Sequence, residues 1–186
     1  MHARLHIDTA TGLLADTRQI LCTHFDARPA GVAADLIVIH GISLPPGEFG
    51  GPYIEQLFSG DLDPSAHPYF AGIVAARVSA HVVIRRDGQL LQFVPFGARA
   101  WHAGTSSYQG RNACNDFSIG IELEGTGELA YCDAQYDQLA LLIEALCSAY
   151  PTLSTARVTG HSDIAPGRKS DPGAAFDWER LRARLR

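Results

Sequence analysis

The sequence predicts a mixed α+β fold, with one mixed β-sheet flanked by helices, and three observations lead to it. A fully apolar run, Leu36-Ile37-Val38-Ile39, precedes His40 and reads as a strand from Asp35 to His40. Two apolar runs, Ala80 to Arg86 and Gln89 to Val94, flank Asp87-Gly88, a two-residue signal for a type I′ hairpin. From Asp133 to Tyr150, Tyr136, Leu139, Ala140, Ile143, Leu146, Cys147 and Tyr150 fall on one face at the helical period.

The remaining elements follow in chain order. After the first strand, Ser43 to Pro52 is too rich in Pro and Gly to be regular, and reads either as the wall of a groove or as a connector. Pro64 to Val78 reads as helical in its second half, where Phe70, Ile73, Val74 and Arg77 are spaced by three and four and Arg77 closes the helix. Phe117 to Glu124 alternates as a strand. Asp133 is the expected N-cap of the long helix and Pro151 its stop. Arg157 to Gly160 is a short strand ahead of His161, and Asp177 is placed to cap a final helix from Trp178.

A chain of 186 residues with 46% apolar composition buries a sufficient core as one domain, 1–186, without linker, repeat or low-complexity tract. With no long apolar span and no signal-peptide core at the N-terminus, the expectation is a soluble cytoplasmic protein without a membrane partner. Cys22, Cys114, Cys132 and Cys147 lack paired spacing and are expected as reduced thiols. A net charge of -5 argues against a nucleic-acid partner. Arg180, Arg182, Arg184 and Arg186 read as the solvated last turn of a helix.

Chemistry enters with the histidines. His2, His6, His24 and His67 carry no pattern. His40 and His161 each sit at the end of a short apolar strand beside a glycine, where side chains converge on one edge of a sheet. With Asp171 they form a set suited to catalytic zinc, because two imidazoles and a carboxylate leave the tetrahedral ion an open fourth position. Taken alone, the two histidines are equally compatible with no metal at all. His81 reads as a core or supporting residue, and Trp101-His102 could line a pocket or be core. In Phe117 to Gly125, alternation sends Glu122 and Glu124 to the face opposite Ile119, Ile121 and Leu123. If that face looks into a groove, Glu122 is a proton-transfer candidate; if it faces solvent, the pattern is trivial.

Five ordered segments then resemble one family, the AmpD-type anhydromuramyl-L-alanine amidases within the zinc amidases that include phage lysozyme-amidases and peptidoglycan recognition proteins. They are Ile39-His40-Gly41-Ile42-Ser43-Leu44-Pro45-Pro46-Gly47, Val78 to His81 with Ile84 to Gly88, Ala100-Trp101-His102-Ala103-Gly104, Asn115 to Gly125, and Gly160 to Gly173. The resemblance implies one zinc ion held by His40, His161 and Asp171, a catalytic pair Glu122 and Lys169, and substrate contact by Arg77, with His102 and Trp101 lining the pocket. It further implies hydrolysis of the lactyl-to-L-alanine amide of anhydromuramyl peptides in cell-wall recycling, clearing a signal for β-lactamase induction. Two departures stand out: Gly41 where the family carries Asn, and Ala113 where it carries Arg. Two other readings are a recognition module that does not cut, disfavoured by the complete ligand set, and an autolysin or endolysin acting on intact wall.

Overall fold

The computed structural model describes residues 4–185, so His2 and Arg186 lie outside the described residues. The strands are β1 (Ile7–Asp8), β2 (Leu13–Leu14), β3 (Arg18–Gln19), β4 (Phe25–Asp26), β5 (Leu36–Ile42), β6 (Val82–Ile84), β7 (Leu90–Gln92), β8 (Arg99–Ala100), β9 (Ser107–Tyr108), β10 (Arg111–Asn112), β11 (Ser118–Glu124) and β12 (Val158–Gly160). The helices are α1 (Tyr53–Ser59), α2 (Asp133–Ala149), α3 (His161–Ile164) and α4 (Trp178–Arg182), with short 3₁₀ turns at Pro68–Gly72, Cys114–Phe117 and Thr155–Arg157.

The main sheet has six strands in the order β12-β5-β11-β6-β7-β3. Its first four strands are parallel neighbours, β6 and β7 are antiparallel, and β3 joins β7 in parallel, so the sheet is mixed as expected. Leu36 to Ile39 are fully buried because both faces of β5 are covered, which is why that run is apolar without alternation. On one face Ile37, Ile39, Ile119, Ile121 and Leu123 pack under Leu139, Leu142, Ile143 and Leu146 of α2. On the other, Leu36 and Val38 meet Ala103, Cys114, Phe117 and Ile164.

Four local expectations are corrected. Pro64 to Val78 forms no α-helix; its helical part is the 3₁₀ segment Pro68–Gly72, and Arg77 closes nothing. His67 caps that segment by accepting from the Tyr69 N–H, and hydrogen-bonded turns carry the chain on to Ala76. The regular helix of this region is α1, directly after the Pro-Gly loop, burying Ile54, Leu57 and Phe58 at spacings of three and four. The hairpin turn is not type I′, which needs positive φ at two central residues. Only Gly88 has it, and the Arg85 N–H donates to the Gln89 carbonyl across a three-residue loop. Asp133 begins α2 rather than capping it; Cys132 is the cap, with the Gln135 side chain accepting from its N–H. Lastly, the C-terminal arginines do more than meet solvent: Arg180 pairs with Asp133 and Arg184 with Asp133 and Asp137, fastening α4 to α2. Asp177 caps α4 as expected.

Candidate metal centre and active site

Parallel pairing of β11 with β5 aligns Glu122 with His40 and Gly120 with Val38, so one face of the sheet carries the imidazole and the carboxylate side by side. β12 pairs with β5 on its other edge, Gly160 opposite Ile39, and hands the chain to His161 at the first residue of α3. The loop that follows returns Asp171, whose carbonyl accepts from the Ser162 N–H at 2.9 Å. The three side chains meet: His40 Nδ1 lies 2.9 Å from His161 Nδ1, and Asp171 Oδ2 lies 3.2 Å and 3.1 Å from the two nitrogens.

The protons on these rings can be placed from their other contacts. Ser118 donates its hydroxyl proton to the Cys114 carbonyl at 2.6 Å, so its oxygen accepts from His102 Nε2–H at 3.1 Å. A neutral His102 then offers a lone pair at Nδ1, which takes the proton of His40 Nε2–H at 2.8 Å. His161 donates Nε2–H to the Ala103 carbonyl at 3.2 Å; the Arg168 Nη2 that lies 3.4 Å from the same nitrogen already spends its two protons on the Ala103 and Thr105 carbonyls at 2.6 Å and 2.7 Å. Both Nδ1 atoms therefore carry bare lone pairs, and with Asp171 Oδ2 they form a triangle with no proton inside it.

Such a triangle repels itself unless a cation sits against it. Tetrahedral ligands at about 2.0 Å from a zinc ion would stand about 3.3 Å apart, close to the observed edges. His40 and His161 are buried and Asp171 is part-exposed, so the ligand set is enclosed on the protein side and open on the other. Burial lowers the His40 pKa to about 4, which opposes a proton taking the place of a metal. The donor set fits zinc.

Glu122 stands beside this set with Oε1 4.0 Å from His40 Nδ1. Its Oε2 is buried without a hydrogen-bond partner, and burial followed by the Asp171 charge pushes its pKa well above the usual carboxylate range. Together with Lys169 and the three ligand residues it lines a cleft of about 440 Å³ that Leu57, Phe58, Tyr69 and Ile73 also line. An open set of nitrogen and oxygen donors, a carboxylate with no partner and an ammonium around one cleft are the parts of a hydrolytic site.

Comparison with known proteins agrees with that chemistry. The family model described as N-acetylmuramoyl-L-alanine amidase matches residues 30–174. The chain belongs to this amidase family. It is 62% identical over 172 residues to the 1,6-anhydro-N-acetylmuramyl-L-alanine amidase AmpD of Citrobacter freundii, covering 92% of this chain and 91% of that protein. To the AmpD of Escherichia coli K12 it is 60% identical over 171 residues, 92% of this chain and 93% of the relative. A selenomethionine AmpD crystal structure superposes with a TM-score of 0.93 at 59% identity, covering 97% of this chain and 99% of that one. The Escherichia coli amidase AmiD, in complex with anhydro-N-acetylmuramic acid-L-Ala-D-gamma-Glu-L-Lys, superposes with a TM-score of 0.60 at 26% identity, covering 97% and 65%.

Within this amidase the other sequence candidates separate. Glu124, on the same face as Glu122, does not reach the cleft; it binds Arg85 at 2.9 Å and the Gly50 N–H at 2.7 Å, tying the Pro-Gly loop to the sheet. The loop residues Ser43, Leu44, Pro46 and Gly47 line the cleft, as a groove wall would. His102 borders the cleft, but both of its ring nitrogens are engaged within the protein. Trp101 and Arg77 are not brought to the cleft: the indole N–H donates to Asp26 at 3.2 Å, and the Arg77 guanidinium stands 6.0 Å from the indole ring. His81 is fully buried and accepts from the Gly120 N–H at 3.0 Å, a supporting role.

Three contributors lie outside the sequence candidates. Ser118 and Asn115 act through hydrogen bonds to residues near them in space, Asn115 Oδ1 accepting from the N–H groups of both His102 and Ala103. Tyr131 donates to the Pro172 carbonyl at 2.8 Å, next to Asp171, and its hydroxyl occupies the space a Cβ at Gly41 would need. The Gly41 departure thus has a steric counterpart in this chain.

Proposed function

We propose that this amidase hydrolyses the amide joining the lactyl group of 1,6-anhydro-N-acetylmuramic acid to L-alanine, using one zinc ion held by His40 Nδ1, His161 Nδ1 and Asp171. The observation that carries the reading is the proton-free triangle of donors beside the unpartnered Glu122 carboxylate. Zinc, when bound, supplies a Lewis acid that polarises the amide carbonyl and acidifies water.

The protein's own groups supply the rest. Glu122 takes a proton from the attacking water as its oxygen bonds to the carbonyl carbon, and the buried setting that raises its affinity for protons retains it there. When the C–N bond breaks, that proton passes to the leaving α-amine of L-alanine. Lys169, on the cleft wall, faces the oxygen on which negative charge develops. The apolar wall of Leu57, Phe58, Tyr69 and Ile73 gives the sugar and lactyl carbons a surface to pack on and limits water near the reacting atoms.

The identity to AmpD relatives over nine-tenths of the chain supports a soluble anhydromuramyl peptide as substrate. Among the described residues no helix is long and apolar enough to cross a membrane. Our reading is a single domain acting in the cytoplasm on recycled wall fragments. Incubation with anhydromuramyl-tripeptide, with zinc and then with a chelator, should release free tripeptide, followed by mass, only in the first case. Release that persists after exhaustive chelation, or cleavage of intact sacculi in preference to the soluble fragment, would overturn it.

A further inference from the structure

We propose that His102 is a positioning residue that sets the tautomer of His40, and that Ser118 sets the direction of the hydrogen-bond chain through it. The metal side of this inference rests on the zinc reading above, while its tautomer side does not. An imidazole can serve a metal through Nδ1 only if its proton sits on Nε2. Nothing inside His40 fixes that choice, since the two tautomers of an isolated ring are close in energy. The choice is made by what faces Nε2.

That partner is His102 Nδ1 at 2.8 Å, and a second imidazole is ambiguous, able to donate or accept. The ambiguity ends at Ser118. Its hydroxyl is committed as donor to the Cys114 carbonyl at 2.6 Å, which leaves only acceptor capacity toward His102 Nε2. Three hydrogen bonds then run one way, from His40 through His102 and Ser118 to a backbone carbonyl that can only accept.

The main chain builds the place for this ring. His102 packs over Gly120, where a Cβ would overlap the imidazole, so the glycine between Ser118 and Glu122 on the site face of β11 is what lets the ring approach His40. Asn115 Oδ1 holds the N–H groups of His102 and Ala103 at 3.1 Å and 2.7 Å. The same two-residue segment serves the other ligand, because the Ala103 carbonyl receives His161 Nε2–H at 3.2 Å. Both histidine ligands therefore take their tautomers from residues 102 and 103, one from a side chain and one from the backbone.

The test measures the ring and the metal separately. In metal-free protein, nitrogen-15 NMR of His40 should find the Nε2–H tautomer in wild type and a mixture in His102→Leu, which removes the acceptor while filling the space. His102→Asn, whose Oδ1 can stand where Nδ1 stood, should restore the Nε2–H form. Zinc Kd, read by competition with a chelator, should rise about 10- to 100-fold in His102→Leu, the usual effect of losing a group that orients a ligand, and recover most of that in His102→Asn. Ser118→Ala keeps the His102 ring and should give the mixed tautomer with a smaller rise in Kd. A His40 that stays in the Nε2–H form in both His102→Leu and Ser118→Ala overturns the inference, as does an unchanged zinc Kd in both. A wild type that binds no zinc overturns the metal reading instead, and the tautomer measurement still decides the role of His102.

Discussion

Replacing Glu122 by Gln isolates the proton-transfer step from everything else the side chain does. The two residues have the same shape, Oε2 of Glu122 makes no hydrogen bond, and Oε1 approaches His40 Nδ1 no closer than 4.0 Å. The amide therefore breaks no existing contact, and it removes a carboxyl whose charged form burial opposes. Stability should hold or rise slightly, and the His40, His161 and Asp171 donors are untouched. General acid-base catalysis by a positioned side chain is worth about 10²- to 10⁴-fold. That corresponds to about 3 to 5 kcal/mol of barrier at 1.36 kcal/mol per decade. The assay is the rate of tripeptide release at saturating substrate, beside zinc Kd and Tm on the same preparation. A kcat within tenfold of wild type, with zinc bound and Tm unchanged, would refute the assignment of Glu122 as the proton carrier.

Three further outcomes are expected. Lys169→Ala should lower kcat by about 10²- to 10³-fold with little change in zinc Kd, as for loss of one group stabilising an oxyanion, so an effect confined to KM would count against that role. Gly41→Ala should cost about 1 to 3 kcal/mol in chemical denaturation, because its Cβ overlaps the Tyr131 hydroxyl that is held by Pro172, and Tyr131→Phe in the same chain should return part of the loss. If the double variant is no more stable than the single one, the steric account of Gly41 fails. His81, with its pKa lowered to about 3 by burial and then by Arg28, binds a proton in the unfolded chain before it does in the folded one. Its contribution is complete above the unfolded pKa of about 6.5 and is lost as pH falls toward 3, at about 1.4 kcal/mol per pH unit. Metal-free His81→Asn, titrated by urea between those limits, should show a slope shallower by that amount; equal slopes would place the acid sensitivity elsewhere.

Wherever the signal was local, the sequence was readable. β5 and β11 announce themselves by composition and alternation, α2 by period, and β12 by a β-branched pair ahead of a glycine, because each pattern reflects what the strand or helix imposes on its own residues. The region 53–78 was not readable in the same way. The seven residues of α1 follow a loop full of Pro and Gly, while the spacing of Phe70, Ile73 and Val74 imitates a helix that the chain forms only as a short 3₁₀ segment. Short segments take their form from what they pack against, here Phe58 on Phe93 and Tyr53 on Phe70, and carry too few residues for a period to stand out.

The same division runs through the site. Residue type and strand position were sufficient to nominate His40 and His161, and alternation was sufficient to put Glu122 and Glu124 on one face, but not to say which carboxylate would meet the cleft. The register of β11 against β5 decided that, setting Glu122 level with His40 and leaving Glu124 to Arg85. The sequence determined the chemistry on offer: two imidazoles and a carboxylate for a metal, a second carboxylate and a lysine for proton and charge. Only the tertiary structure decided which lone pairs face inward, because a tautomer is fixed by partners distant in sequence, and the chain from His40 through His102 to Ser118 exists only once three separate segments have folded against one another.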